Sequence, residues 1–166
     1  MIIALLSDTH DNAASTLAAL DLLAAHKPSV YLHAGDLVSP EMLAHFSGLP
    51  FHFVFGNNEY DHAAVRSKAK ALALECHGNL ADLKFGGKRL AMLHGHDHAL
   101  MTRLTSGGEY DYLVHGHTHV RRDERIGKTR ILNPGALQRT QTKSVAVLDT
   151  EADVLTFLRV QPQANR

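Results

Sequence analysis

The chain has 166 residues, 45% of them hydrophobic, and its 17 lysines and arginines balance its 17 aspartates and glutamates. Because the formal charge is zero, bulk electrostatics favour neither a nucleic-acid groove nor an anionic membrane surface as a partner. The sequence also lacks any apolar run that approaches the ~20 residues of a membrane-spanning helix.

The amino-terminal segment and the cysteine content indicate a cytoplasmic protein. Residues 1–6 are too few and lack the basic start of a signal peptide, and Cys76 is the one cysteine, so no internal disulfide is expected. We expect a single domain over residues 1–160 and a frayed tail over residues 161–166. The outlier in the composition is histidine, with 13 residues, and this excess calls for a chemical reason.

The first half of the chain predicts strands that alternate with helices. Short apolar runs typical of strands occur at residues 2–6, 30–33 and 51–55. A helix is predicted after each strand: the first is capped by Asp11 or Asn12 and ends at Pro28, and the others cover residues 41–46 and 63–72. This alternation favours a sheet of parallel strands with helices packed on it.

The second half predicts mostly strands. They are expected at residues 80–85, 89–93, 112–115, 120–125, 130–132, 144–148 and 154–160. Short turns at residues 86–87 and 150–153 favour antiparallel pairing, and one helix is predicted over residues 98–105. We therefore expect an α/β (α+β) fold with two facing sheets and helices outside.

Polar side chains follow the predicted strands. In chain order they are Asp8, His10, Asp36, Asn57, His94, His117 and His119. Because ligands bind beyond the carboxyl ends of strands in open α/β sheets, we expect these side chains to meet in one crevice. They are too many ligands for one metal ion but suit two ions that share a carboxylate, for which Asp36 is the best candidate.

The chemistry of this ligand set points to a substrate class. Imidazole combined with carboxylate favours Mn, Fe, Ni, Co or Zn over Mg or Ca. Two divalent ions outweigh the charge of two aspartates and a bridging hydroxide, so the site stays positive and attracts a phosphate ester. The ions also lower the pKa of bound water to about 7. The predicted reaction is hydrolysis of a small phosphoester.

Five ordered motifs resemble those of the calcineurin-like metallophosphoesterase superfamily. They are Asp8-Thr9-His10, Gly35-Asp36, Gly56-Asn57-Asn58, His94-Gly95-His96 and Gly116-His117-Thr118-His119. The chain length and the segment Asn133-Pro134-Gly135 are most similar to the small bacterial and archaeal phosphodiesterase branch. The resemblance implies an αββα fold, in which a two-sheet β-sandwich is flanked by helices.

The resemblance also implies two divalent transition-metal ions per chain, with manganese the first expectation and nickel, iron, cobalt or zinc as alternatives. It assigns one ion to Asp8, His10, Asp36 and His119. It assigns the other ion to Asp36, Asn57, His94 and His117. The implied enzyme hydrolyses phosphodiesters through a metal-bridging hydroxide.

The sequence departs from the larger branch of the superfamily at Asn58, where those enzymes have histidine. That histidine would help to protonate the leaving group, whereas Asn58 can donate a hydrogen bond to a phosphoryl oxygen but cannot supply a proton. His96 lies on the same predicted strand face as His94 and is a second candidate to touch the substrate. We therefore take Asn58 and His96 as the catalytic candidates and expect a preference for diesters or activated esters.

Two other functions stay open at this point. The small retromer subunit, which shares the fold, looks like a scaffold for protein contacts, but all seven ligand residues are present here, which favours the enzyme. The histidine excess would also fit a metal-buffering or metal-sensing protein. Whether the chain forms a homo-oligomer also stays open.

The remaining histidines do not fit the ligand spacing of the five motifs. We interpret six of them as structural or surface residues: His26, His33, His45, His52, His62 and His77. His115, which alternates with His117 and His119, is interpreted as packing or support for the ligands.

Overall fold

A computed structural model describes residues 1–161 of the chain. The predicted frayed tail over residues 161–166 lies outside this range except for its first residue. The elements, in chain order, are β1 (Ile2–Leu6), α1 (Ala13–Ala24), β2 (Val30–His33), a 3₁₀ helix (Pro40–Phe46), β3 (Phe51–Phe53), α2 (His62–Ala71), β4 (Glu75–Cys76), β5 (Leu80–Phe85), β6 (Lys88–Leu93), α3 (His98–Gly107), β7 (Tyr112–Val114), β8 (Arg122–Ile126), β9 (Thr129–Asn133), β10 (Ser144–Asp149) and β11 (Val154–Arg159).

The strands form two sheets. The first has the order β11-β10-β1-β2-β3-β4, and the second has the order β5-β6-β7-β9-β8. In the first sheet β1 to β4 are parallel, and β10 pairs antiparallel with both β1 and β11. In the second sheet β6, β7 and β9 are parallel, whereas the edge strands β5 and β8 are antiparallel to their neighbours.

The alternation of apolar residues along β1 explains the layered core. Ile3 and Leu5 belong to the cluster between the two sheets, together with residues of β6, β7 and β9. Ala4 and Leu6 face the other way and pack in the cluster that includes residues of α1 and α2. A third cluster, around Leu104 of α3, covers the outer face of the second sheet. Helices therefore flank the sandwich on both sides, which confirms the predicted αββα arrangement.

Three details differ from the sequence prediction. The segment at residues 41–46 is a 3₁₀ helix that begins at Pro40, and the strand predicted to reach residue 55 ends at Phe53. The two-residue strand β4 was not predicted, because two residues are too short to show an alternation. The antiparallel pairing predicted across the turns at residues 86–87 and 150–153 is confirmed by β5 with β6 and by β10 with β11. Among the parallel strands, α3 provides the crossover from β6 to β7, and β8 lies in the connection from β7 to β9.

Within residues 1–161, no helix combines the length and apolar character required to cross a membrane.

Candidate metal centre

Segments that follow the parallel strands of both sheets converge at one end of the sandwich. Asp8 follows β1 and Asp36 follows β2, while His94 follows β6 and His117 and His119 follow β7. Asp8 and Asp36 are buried, at 0% and 2% exposure, and His94 is buried at 1%. The seven predicted ligands, named here the seven-residue centre, are Asp8, His10, Asp36, Asn57, His94, His117 and His119.

One group of ligand atoms surrounds a single carboxylate oxygen. Asp8 Oδ1 lies 3.2 Å from His119 Nε2 and 3.9 Å from His10 Nε2. The two histidine nitrogens are 3.4 Å apart. Ligand atoms of all three residues lie within 4.8 Å of one another, which is close enough for one metal ion to bind them together.

A second group contains both aspartates. Asp36 Oδ2 lies 3.3 Å from His94 Nε2 and 3.5 Å from His10 Nε2, and His94 Nε2 lies 4.0 Å from Asp8 Oδ1. Asp8, Asp36 and His94 also have ligand atoms within 4.8 Å of one another. Asp8 thus belongs to both groups, and Asp36 contacts a histidine of each. The prediction that Asp36 bridges two ions stays a prediction.

The other two predicted ligands lie at the edge of this cluster. Asn57 Oδ1 lies 3.1 Å from His117 Nδ1, and the His117 ring is 5.1 Å from the His94 ring. His96 is exposed beside them, with its ring 5.6 Å from that of His94 and 6.2 Å from that of His117. His96 therefore stands at the exposed rim of the centre.

Backbone carbonyls orient two of the histidines. His94 Nδ1 lies 2.8 Å from the carbonyl oxygen of Ala34, and His119 Nδ1 lies 3.2 Å from that of Arg139. A carbonyl can only accept, so both Nδ1 atoms carry a proton, and in the neutral imidazole each Nε2 has the lone pair that a metal ion would bind. This arrangement of a histidine with its far nitrogen bonded to a carbonyl is typical of metal ligands.

The buried polar atoms test whether the residues fit a cation. Asp8 Oδ2 accepts hydrogen bonds from the Ser7 hydroxyl and from the backbone N–H of His117. In contrast, Asp8 Oδ1 and His94 Nε2 are buried with no hydrogen-bond partner among the described residues. Leaving such acceptors unpaired is costly, and a cation between them would satisfy both. The donor set therefore fits divalent metal ions.

The backbone of the centre is held in an unusual conformation. Asp8, His10, Asp36, His117 and His119 all have φ between +42° and +66°, a left-handed region that non-glycine residues rarely adopt. Each such residue costs of order 1–3 kcal/mol, and strain of this kind concentrates at functional sites. The surrounding packing therefore maintains the side-chain directions of the centre at the expense of local stability.

Two glycines allow the backbone to approach the aspartates closely. A Cβ atom on Gly116 would overlap the Ser7 hydroxyl and lie 2.7 Å from Asp8 Oδ2. A Cβ atom on Gly56 would overlap Asp36 Oδ1. Any side chain at either position would displace a carboxylate of the centre.

The aspartates attract positive charge to the centre. Burial lowers the pKa of His94, but Asp36, Asp8 and the Ala34 carbonyl together raise it above its usual value, and the Asp8 carboxylate raises the pKa of His119. Burial raises the pKa of Asp36, yet His94 and the N–H groups of Asn58 hold it well below its usual range. The pKa values of the imidazoles of His10 and His117 are instead lowered by burial. The centre thus favours an ionised Asp36 carboxylate, which requires cationic partners.

Comparison with known proteins decides the family. The family model of the calcineurin-like phosphoesterase superfamily domain matches residues 1–153. The chain belongs to this superfamily. Phosphodiesterase MJ0936 of Methanocaldococcus jannaschii is 26% identical over 159 residues, which cover 91% of this chain and 94% of that protein. The resemblance drawn from the five motifs is therefore confirmed.

Solved structures of the superfamily share the fold. A novel archaeal phosphodiesterase superimposes with a TM-score of 0.89 at 24% identity, over 96% of this chain and 99% of that one. The phosphoesterase Yfce from E. coli gives a TM-score of 0.70 at 18% identity, over 97% and 100% of the two chains. Vps29 from Entamoeba histolytica, solved with Zn²⁺, gives 0.71 at 21% identity, over 99% and 95%.

Asn58 and Glu59 make hydrogen bonds to the seven-residue centre or to the segments that carry it. The Asn58 side-chain amide donates to Asp36 Oδ2 at 2.7 Å, and its backbone N–H donates to Asp36 Oδ1 at 3.0 Å. The structure thus places the Asn58 amide on a carboxylate of the centre, while its predicted contact with a phosphoryl oxygen stays a prediction.

Glu59 is a functional candidate that sequence reasoning missed. Its buried carboxylate accepts hydrogen bonds from the backbone N–H groups of Leu37 (2.6 Å) and Val38 (3.5 Å) through Oε1 and of Gly56 (2.7 Å) through Oε2. It therefore ties the segment that carries Asp36 to the one that carries Asn57. The available signal was its position, two residues after a predicted ligand.

Histidines outside the seven-residue centre have other roles. His33 is fully buried and packs against Phe46 and Phe51. His115 is buried at 3% exposure, and its Nδ1 donates to the carbonyl oxygen of Gly116. The supporting role that was expected for His115 stays a prediction.

Proposed function

We propose that this superfamily member is a binuclear metal-dependent phosphodiesterase, and that the seven-residue centre holds its two ions. The observation that carries the proposal is the pair of buried, unpartnered atoms Asp8 Oδ1 and His94 Nε2, which face each other across 4.0 Å. The relationship to a curated phosphodiesterase that covers most of both chains supports the choice of reaction.

Divalent ions, with manganese the first candidate, would supply a hydroxide nucleophile at neutral pH and neutralise charge that develops on the phosphoryl oxygens. The chain's own residues would hold these ions and orient the side chains that bind them. Asp8 and Asp36 provide the negative charge that retains the cations, and Asn58 fixes the Asp36 carboxylate through two hydrogen bonds. Fixed ligands of this kind keep the reacting groups in a productive geometry.

His96 is the candidate proton donor to the departing alkoxide. It is exposed at the rim, within 6.2 Å of the His117 ring, and no contact among the described residues ties its imidazole to a carboxylate. Partial burial of the imidazole lowers its pKa, which reduces the share of the protonated form at neutral pH. A poor proton donor at this position favours esters whose leaving groups depart without being protonated, such as activated diesters.

A scaffold role is the second candidate, because Vps29 shares the fold with a TM-score of 0.71. A scaffold would have no use for buried, unpaired acceptors or for five strained residues at one centre. We therefore favour the enzyme.

The test is hydrolysis by the metal-stripped protein after single divalent ions are restored. With bis(p-nitrophenyl) phosphate as substrate, we expect turnover that returns with manganese and disappears with chelator. Asp36→Asn keeps the side-chain shape but removes the charge, so kcat/KM should fall by roughly 100-fold or more. Asp21→Asn, on the exposed face of α1, is the matched control and should behave as the wild type. Lack of turnover with every ion tested would leave the scaffold as the better account.

A further inference from the structure

A cavity of about 390 Å³ opens beside the centre, between α3 and the segment that follows β7. Its lining includes His98, Met101, Thr105, His115, Thr118 and Arg122, and it shares one wall, His117, with the seven-residue centre. Two other cavities of about 300 and 390 Å³ contain no residue of the centre. Contiguity with the reacting groups therefore distinguishes this cavity from the others.

The sequence of α3 explains how one wall of the cavity forms. His98, Met101 and Thr105 recur at helical spacing and line the cavity, while Leu104 is buried in the core cluster, against which Leu100 and Met101 also pack. Asp97 caps the helix by accepting a hydrogen bond from the N–H of Leu100 at 2.9 Å. The helix is thus fixed at its start and on one side, and its other face is left towards the cavity.

The chemistry of the lining defines what it would bind. None of the described residues that line the cavity is acidic, and Arg122 carries a permanent positive charge, although its guanidinium also donates to Glu124. Met101 provides apolar surface, and Thr105 and Thr118 provide hydroxyl groups. Ligand pockets typically measure about 300–1,000 Å³, mostly apolar with a few polar groups. A neutral or anionic ring system that carries hydroxyl groups fits these properties.

We propose that this cavity receives the organic group that stays on phosphorus, and that the group is a nucleoside; the inference rests on the proposed phosphodiesterase function. In an in-line displacement the leaving group departs opposite the nucleophile, hence away from the aspartates and towards solvent. The organic group that stays on phosphorus lies to the side of the line that joins the nucleophile, phosphorus and the leaving group. The cavity is placed for this second group because His117 belongs both to its wall and to the centre.

The test compares two diesters that share a leaving group. Methyl p-nitrophenyl phosphate and thymidine 5′-p-nitrophenyl phosphate both release p-nitrophenolate, so their kcat/KM ratio reports the retained group alone. We expect the manganese-loaded wild type to prefer the thymidine ester by about tenfold, the effect of burying roughly 60 Å² of apolar surface. The preference should appear mainly in KM.

Two variants fill the cavity. Met101→Trp adds a large ring, and Thr105→Met adds volume with a good helix former, so a folding defect in one does not remove the test. Each should reduce the preference about tenfold, to near unity. Ala99→Trp, exposed on α3 and outside the lining, is the matched control and should keep the preference. An unchanged ratio in both filling variants, or no preference in the wild type, would overturn the inference.

Calorimetric binding of thymidine 5′-monophosphate separates this inference from the proposed function. We expect the metal-loaded wild type to bind it about tenfold more tightly than Met101→Trp or Thr105→Met does. Equal affinities would overturn the assignment of the cavity even if both diesters were hydrolysed. Loss of turnover for both diesters in the wild type, with the binding difference intact, would instead contradict the proposed function.

Discussion

Two histidines close to Asp36 carry their protons on opposite nitrogens. His33 Nδ1 accepts a hydrogen bond from the N–H of Gly35 at 3.2 Å, so its proton is on Nε2. His94 Nδ1 donates to Ala34, so in the neutral imidazole its Nε2 bears the lone pair. The same residue type thus serves as a neutral core group in one place and as a candidate ligand in the other, and the neighbouring backbone makes the difference.

The protonation of His33 leads to a prediction about acid stability. Burial lowers the pKa of His33 from 6.5 to about 3, so between these values the unfolded chain binds a proton that the folded chain does not. The free energy of unfolding should therefore be unaffected by His33 above pH 6.5 and should fall by about 1.4 kcal/mol per pH unit as the pH drops towards 3.

The measurement is urea unfolding of chelator-treated protein between pH 7 and pH 4. His33→Asn keeps an acceptor for the Gly35 N–H but cannot titrate, so its stability should decline less steeply with acid than that of the wild type, by about 1.4 kcal/mol per pH unit. His26→Asn, at an exposed position, controls for the loss of a histidine. Identical slopes for His33→Asn and the wild type would contradict this account of the buried imidazole.

At the residue scale, sequence patterns predict which side chains gather at the centre but not their protonation. The position after a predicted strand and the alternation of histidines indicated His117 and His119, and the structure places both at the centre. The tautomer of His94 depends on a carbonyl 60 residues away in sequence, a contact that no local pattern encodes. The left-handed backbone of Asp36 is one that aspartate tolerates better than most residues, but no local sequence pattern specifies it at this position.

At the scale of elements, the segments after β2 and β3 depend on Glu59. Burial raises the pKa of its carboxyl even though backbone N–H groups donate to it. Glu59→Gln would place an amide donor against one of these N–H groups and release the segment of Asp36 from that of Asn57. We expect metal affinity, measured by competition with a chromophoric chelator, to fall roughly 10- to 100-fold, as for other supporting residues around metals.

The control for this prediction is Glu41→Gln, an exposed substitution in the 3₁₀ helix. It should leave metal affinity at the wild-type value. Thermal unfolding of both variants distinguishes a local effect from a general loss of structure. Wild-type metal affinity in a folded Glu59→Gln protein would show that this carboxylate does not position the centre.

Strand pairing was predictable where turns are short or where strands alternate with helices, as the parallel strands β1, β2 and β3 do. The turn at Gly86-Gly87 predicts the antiparallel pair β5 and β6, and the structure confirms it. The parallel pairs of β6, β7 and β9 depend on the crossover by α3 and on the insertion of β8 at the edge. These pairings join segments that are far apart in the sequence, and the periodicity of residues along the chain does not predict them.

For the whole molecule, the two sheets bring strand ends of different halves of the sequence together. Asp8 and Asp36 come from the first sheet, and His94, His117 and His119 come from the second. Neither sheet alone supplies the full ligand set. The centre therefore requires the complete sandwich, and its predicted ions would link the two layers as well as serve the reaction.

The most direct test of the account is anomalous diffraction from crystals of the manganese-loaded protein. We predict two manganese peaks per chain at the seven-residue centre: one beside Asp8, His10 and His119, and the other beside Asp36 and His94. Metal analysis of the same protein should give close to two ions per chain. A single peak after full loading, or manganese bound only outside this cluster, would contradict the binuclear centre.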